Sequence, residues 1–273
     1  MPPKTIHLVR HAQGYHNLTP TNHSMPDPTL TPFGESQCQS LSTTFPHPPS
    51  PTSFLTVSSP LKRTLTTTLL TFPSISPTHP ILAYHLFQET SSLPCDIASP
   101  LSKLKKEYAG KSIDFSLLEE EERERGSEGW RTKMGKWGTS KGALERRARE
   151  AREWLWRRGE EEVVVVTHGG FLHWLTGSWE GYDRSTGLGT GWQNTEFRTY
   201  SFRDESAPGP EYEIVETEES RKRRDSEKVR AEEMEMRRVK KLDGGRKDEW
   251  KRGVEVQSKV RAISRERDFV GGY

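Results

Sequence analysis

Two apolar runs stand out in an otherwise polar chain. Ile6-His7-Leu8-Val9 gives way to Arg10-His11-Ala12, and Val163-Val164-Val165-Val166-Thr167 gives way to His168-Gly169-Gly170. Uninterrupted β-branched and aliphatic residues predict buried strands over Thr5–Val9 and Val163–Val166. Phe54–Val57 predicts another strand, and Ile81–Phe87 a third that leads to Gln88-Glu89. Helical spacing appears between them. Cys38, Leu41 and Phe45 share one face of a helix over Gly34–Phe45. Leu61, Leu65 and Leu69 form a second stripe, with Ser59 as the capping oxygen and Pro60 opening the helix, which puts Lys62 and Arg63 in its first turn. Leu144, Ala148, Ala151 and Leu155 mark a third helix over Ala143–Arg158, its arginines facing water and Gly159 ending it. The valine strand follows at once. Helix then strand across so short a loop is the pattern of an α/β fold with a mostly parallel sheet.

The remaining segments read as connections. Tyr15–Pro32 is a polar loop, and Pro46–Ser53, with four prolines, is a surface connector. Ser99–Gly142 carries no clear pattern beyond the acidic run Glu119–Glu122, expected to be a solvated helix face. After Phe202 the composition shifts. Between Glu216 and Arg252 there are 11 acidic and 14 basic residues among 37, with few aliphatics. Such a stretch cannot bury enough surface to order a second core. Two regions are therefore expected: a domain over 1–204, and a charged tail over 205–273, disordered or an exposed helix supported by pairs such as Glu218/Lys222, Glu219/Arg223 and Glu233/Arg237.

Bulk properties narrow the function classes. The 273 residues are 31% hydrophobic and 29% charged, with a net charge of +2. So small an imbalance implies no global attraction to nucleic acid or to a membrane surface. Cys38 and Cys95 are too few for a disulfide framework and lack zinc-type spacing. The N-terminus runs straight into the first strand with no room for a signal peptide, and no apolar stretch is long enough to span a bilayer. The expectation is a cytoplasmic protein, with Arg221-Lys222-Arg223-Arg224 a weak nuclear-type basic run.

Four features converge on one site. Arg10-His11 and His168 end strands, Arg63 opens a helix, and Glu89 follows the third strand. In an open α/β sheet, ligands bind beyond the carboxyl ends of strands where the strand order reverses. Arginine forks suit the spread charge of a phosphoryl group. A neutral His11 would attack phosphorus, Arg10, Arg63 and His168 would hold the transferring group, and Glu89 would protonate the leaving oxygen and then activate water. Small residues after His168 allow a ligand close to the backbone at Gly169. The rival chemistry is a metal site built from His7, His11, His16 and His168, but no Cys or carboxylate completes that ligand set.

The motifs themselves then show a likeness. Leu8-Val9-Arg10-His11-Ala12-Gln13-Gly14-Tyr15-His16-Asn17 resembles the signature of the histidine phosphatase superfamily, the phosphoglycerate mutase-like proteins. The likeness continues through Leu30–Gln37, Ser59–Thr64 and Val166–Leu172, with Gly189–Glu196 typical of fungal members of a fungal and plant branch. It covers roughly residues 5 to 202. The resemblance implies a three-layer α/β/α sandwich and a metal-free phosphohistidine mechanism without a cofactor. It assigns His11 as nucleophile, Arg10, Arg63 and His168 to the phosphate pocket, Asn17 as a further phosphate contact, and Glu89 as proton donor, with Asp96 the competing acid. Two positions depart from the pattern. Ala12 replaces the usual glycine, and Gln13-Gly14-Tyr15-His16 replaces the mutase sequence Glu-Ser-x-Trp. The second departure favours a phosphomonoesterase acting on a small phosphorylated substrate over a mutase. The third alternative is a phospho-ligand or protein-binding module, with the charged tail meeting a protein partner.

Overall fold

The computed structural model describes residues 2–46, 54–72, 79–126, 129–182, 190–204, 209 and 211–245. The expected connector over Pro46–Ser53 lies outside the described residues from 47 onward. The chain forms two compact units, residues 1–220 and 221–273.

The first unit is built on a seven-stranded sheet. Its strands are β1 (Thr5–Arg10), β2 (Phe54–Ser58), β3 (Ile81–Ala83), β4 (Ile113–Asp114), β5 (Glu162–Thr167), β6 (Phe197–Phe202) and β7 (Ile214–Glu216), in the order β4-β3-β2-β5-β1-β6-β7. The five strands from β4 to β1 pair in parallel, while β6 and β7 are antiparallel. Among the described residues the helices of this unit are α1 (Pro32–Thr44), α2 (Lys62–Thr71), α3 (Leu101–Glu107), α4 (Ser116–Arg125), α5 (Lys141–Trp156) and α6 (Gly169–Thr176); α7 (Glu218–Gly245) falls almost wholly within residues 221–273.

The valine run is buried on both faces, as a central parallel strand must be. Val163 and Val165 pack with Ala148, Ala151 and Leu155 of α5 and Phe171, Leu172 and Leu175 of α6. Val164 and Val166 pack on the opposite face with Leu41, Phe45 and Phe72. Helix, sheet and helix make the expected three layers, and the sheet is mostly parallel.

Several local expectations need correction. Strand β3 stops at Ala83, and Tyr84 turns the chain into a 3-10 turn at His85–Phe87 that carries Glu89 back toward β5. Helix α2 starts at Lys62 and is not capped by Ser59. Its first amide is taken instead by Asp27 Oδ1 at 3.0 Å, from a carboxylate whose other oxygen accepts from Ser99 N. Helix α5 ends at Trp156 without a left-handed glycine, so Gly159 is not its cap. Arg147 of α5 does not face water but is 2% exposed. Glu121 of the acidic run is also buried, accepting from Trp137 Nε1 and pairing with Arg125. The sheet continues past residue 204, the boundary read from composition, because β7 pairs with β6. In the charged region α7 is helical, with Arg223 and Glu227 paired along it. Among the described residues no helix is long and apolar enough to cross a membrane.

One close approach fixes the loop that leaves β1. The Thr31 hydroxyl caps α1 by accepting from Gly34 N, and the same turn brings Gly34 against Gln13. A Cβ at Gly34 would lie 2.1 Å from the Gln13 carbonyl oxygen. Gly34→Ala should therefore shift the backbone just after His11 and cost about 1–3 kcal/mol, as overpacking does. Urea unfolding of the variant checks this, and an unchanged midpoint would show that the loop yields freely.

Candidate active site

The register of the sheet assembles the site. Arg10 of β1 stands opposite Thr167 of β5, so the next residues, His11 and His168, leave adjacent strand ends together. His11 N–H donates to Thr167 O at 3.0 Å, and Ser59 N–H donates to Val166 O, which brings the exit of β2 alongside. The imidazole centroids of His11 and His168 are 5.2 Å apart.

Arg63, fully buried, joins them. Its Nε donates to His11 Nε2 at 3.3 Å, and its Nη2 donates to His168 Nδ1 at 3.1 Å and to Asp96 Oδ1 at 2.7 Å. Nη1 donates to Cys95 O at 2.5 Å. Asp96 is held in turn by the Ser91 hydroxyl, which donates to Oδ2 at 2.5 Å. The carboxylate that neutralises Arg63 is thus engaged on both oxygens.

These contacts settle the tautomers. A carbonyl only accepts, so His11 Nδ1, 2.7 Å from Ala12 O, carries the proton and leaves a lone pair on Nε2. His168 accepts from Arg63 at Nδ1, so its proton lies on Nε2, facing Ser59 Oγ at 2.7 Å. Burial, with Arg63 next in effect, holds both imidazoles well below their ordinary pKa and therefore neutral. His168 is a dipole, not a cation.

Arg10 sits at the rim. Its Nη1 donates to Thr190 Oγ1 at 3.2 Å and to Trp192 O, while Nε is buried without a partner among the described residues. Burial lowers its pKa, and Glu89 and Glu196 counter that. Glu89 lies across the mouth of α6. Gly170 N–H donates to its Oε2 at 3.2 Å and Thr90 N–H donates to Oε1 at 2.8 Å. A Cβ at Gly170 would stand 2.6 Å from Glu89 Oε1, so the glycine is what admits the carboxylate. Gly169, the first residue of α6, is similarly closed on by Thr190. Asn17 has no hydrogen bond to the imidazoles or guanidiniums; its Oδ1 accepts from Gly14 N and holds the turn Tyr15–Asn17. His7 is also apart, on β1 against Phe45 with Nδ1 facing Thr199. Ala12, the departure from glycine, has an ordinary negative φ and donates to Thr67 Oγ1, so alanine is unstrained there.

Three contributors were not assigned from the sequence. Lys133, from the patternless segment, is buried in the left-handed conformation (φ 54°) and donates to Glu89 O at 2.6 Å. Burial, and then Arg147, lower its pKa to about 7. Arg147 reaches the same carbonyl and covers the Phe171 ring. Asn194 donates to His11 O at 2.9 Å and Thr195 N–H to Arg10 O, clamping the dipeptide from behind. The run Gly189–Glu196 offered a way to find that clamp, although Gly189 itself lies outside the described residues.

Known proteins share this framework. The profile of the histidine phosphatase superfamily (branch 1) matches residues 6–81 and 107–208. The chain belongs to this superfamily. Arg10, His11, Asn17, Arg63, His168 and Gly169 fall inside the matched segments, whereas Glu89 and Asp96 fall between them. A phosphoglycerate mutase-like protein of Arabidopsis thaliana is 30% identical over 213 residues, covering 64% of this chain and 74% of the relative. A second, phosphoglycerate mutase-like protein 1 of the same plant, is 30% identical over 207 residues, covering 62% and 69%. A solved structure, a putative alpha-ribazole-5'-P phosphatase from Escherichia coli, superposes with a TM-score of 0.47 at 17% identity, over 79% of this chain and 95% of that one.

The buried neutral imidazoles make stability depend on pH. His11, His168, His16 (about 2) and His85 (about 3) all have folded pKa values depressed chiefly by burial. Below about pH 6.5 the unfolded chain protonates at these positions and the folded one does not, so stability falls with pH by up to about 1.4 kcal/mol per unit for each. Urea midpoints at pH 7.5, 6.5 and 5.5 should decrease in that order; a flat profile would contradict the neutral cluster.

Proposed function

We propose that the chain is a phosphomonoesterase that hydrolyses a small organic phosphate through a phosphohistidine on His11. The observation that carries this reading is His11 Nδ1 at 2.7 Å from Ala12 O, which puts the ring proton on Nδ1 and leaves the Nε2 lone pair facing Arg63 Nε at 3.3 Å. A neutral imidazole with a free Nε2 pair is the form able to attack phosphorus. Arg63 Nε–H donates to that pair; an arriving phosphoryl oxygen takes over the Arg63 donor and frees the nucleophile.

The reaction then has two halves. Nε2 forms a bond to phosphorus while the ester P–O bond breaks, and Glu89 gives its proton to the departing oxygen. Water next attacks phosphorus, its proton passes to Glu89, and the P–N bond electrons return to His11. Arg10, Arg63 and the N-terminus of α6 at Gly169 offset the charge on the equatorial oxygens. Asn17 is the further contact proposed for the phosphate. Glu89 is preferred to Asp96 as the acid because Asp96 is committed to Arg63 and Ser91, and an ion-paired carboxylate is a poor proton donor. Departure of Gln13–His16 from the mutase pattern supports hydrolysis over transfer. The mechanism asks for no metal ion.

A phosphometabolite screen should detect phosphate release by the wild type and an acid-labile phosphoenzyme on rapid quench. His11→Ala should lower kcat by roughly 1,000-fold or more. Glu89→Gln should slow alkyl phosphates by about 100-fold or more but p-nitrophenyl phosphate far less, because a good leaving group needs no acid. Isotope transfer between phosphoglycerate positions instead of release would favour the mutase. Equal inactivity of wild type and His11→Ala across the screen would favour a phospho-ligand-binding module. We further propose that the charged unit serves a protein partner and not the chemistry. Truncation after Ser220, which keeps β7, should leave turnover within about twofold. A larger loss in the same phosphate-release assay would tie the tail to the site.

A further inference from the structure

His16 has no task in that mechanism, yet the loop is shaped around it. Its ring is 7% exposed, and its centroid lies 5.3 Å from that of His11 with the planes tilted by 45°. Nδ1 is buried without a hydrogen-bond partner, and among the described residues the ring makes no hydrogen bond at all. Nδ1 is the buried atom left unpaired; Nε2, equally without a bond among the described residues, is not buried and is the nitrogen open to a ligand. Two of the cations nearest in effect, Arg63 and Arg10, are those that face the phosphoryl position.

The turn makes room for this ring on purpose. A Cβ at Gly14 would stand 2.8 Å from His16 Nδ1, 2.9 Å from Cε1 and 3.2 Å from Thr29 O. The turn is pinned by Asn17 N–H donating to Gly14 O, Gly14 N–H donating to Asn17 Oδ1, and Tyr15 N–H donating to Thr29 O. Nδ1 and Cε1 are therefore the ring atoms turned toward Gly14. Burial and the two guanidiniums depress the His16 pKa to about 2, so the ring adds no further positive charge to the pocket.

We propose that His16 is a phosphate-binding residue, its Nε2–H donating to a non-bridging oxygen of the phosphoryl group held beside His11. This rests on the reading of the pocket as a phosphate site. A neutral donor completes the shell of a group already flanked by two guanidiniums, without a third cation to desolvate.

Inorganic phosphate is the probe, titrated calorimetrically into the full-length protein. His16→Phe, which keeps a ring but loses the donor, should weaken phosphate binding roughly 3- to 10-fold, the range for a neutral hydrogen bond. His16→Gln, which retains an N–H, should bind within about twofold of wild type. Gly14→Ala should weaken binding with the imidazole chemically intact, by pushing the ring aside. Phosphate should also move the His16 imidazole resonances of the wild type and raise its pKa, a readout that needs no variant to fold. Phosphate affinity unchanged in His16→Phe, or an unmoved His16 resonance under saturating phosphate, overturns the assignment. Arg63→Ala separates the two levels. If it abolishes phosphate binding while His16→Phe does not, only the role of His16 fails. If neither variant affects binding, the phosphate pocket itself is wrong.

Discussion

The buried guanidinium of Arg63 is the constraint on which the rest of the site depends. It reaches both strand-end imidazoles, one aspartate and one carbonyl from a single planar fork. A charge with no solvent contact is tolerable only if paired and fully hydrogen-bonded. Asp96 and Cys95 O meet that requirement, so the chain around Cys95-Asp96 is as necessary to the pocket as the imidazoles. Arg63 also sets their protonation. It donates to Nδ1 of His168 and, with burial, keeps both rings neutral, leaving them as a lone pair on one side and a donor on the other.

Much of this was legible because strand ends are legible. The Ile6–Val9 and Val163–Val166 runs identify themselves by composition, and residues that follow them must lie at the carboxyl edge of a parallel sheet. Arg10, His11 and His168 come from that argument, and Arg63 from the Leu61, Leu65 and Leu69 stripe that sets it in the first turn of α2. Glu89 was placed by a strand expected to run to Phe87; the strand ends at Ala83, yet the 3-10 turn that replaces it delivers Glu89 to the same edge. What escaped has a physical reason as well. Lys133 sits on no periodic element, and its left-handed backbone is a tertiary outcome. Arg147 and Glu121 occur where the local pattern is that of solvated charge, and only the packing of Phe171 and Trp137 against them reveals their burial.

The segment without a pattern, together with α5, thus braces the chain around Glu89. Lys133 and Arg147 both donate to the Glu89 carbonyl, and Arg131 donates to Ala98 O. Through these contacts, residues that share no motif with the strand ends fix the height of the carboxylate above α6.

The valine run carries one more consequence. Four identical residues hold no registry information: β5 slid by two positions would present the same side chains to the same faces, yet carry His168 about 7 Å along the strand. The alignment must be written at its ends. His11 N–H on Thr167 O, Thr167 Oγ1 on Phe87 O and His168 against Ser59 are the contacts that distinguish one alignment from its near-copies. The atoms that form the pocket are therefore also the ones that tell the central strand where to stop, and damage to them is expected to appear first as a misaligned sheet.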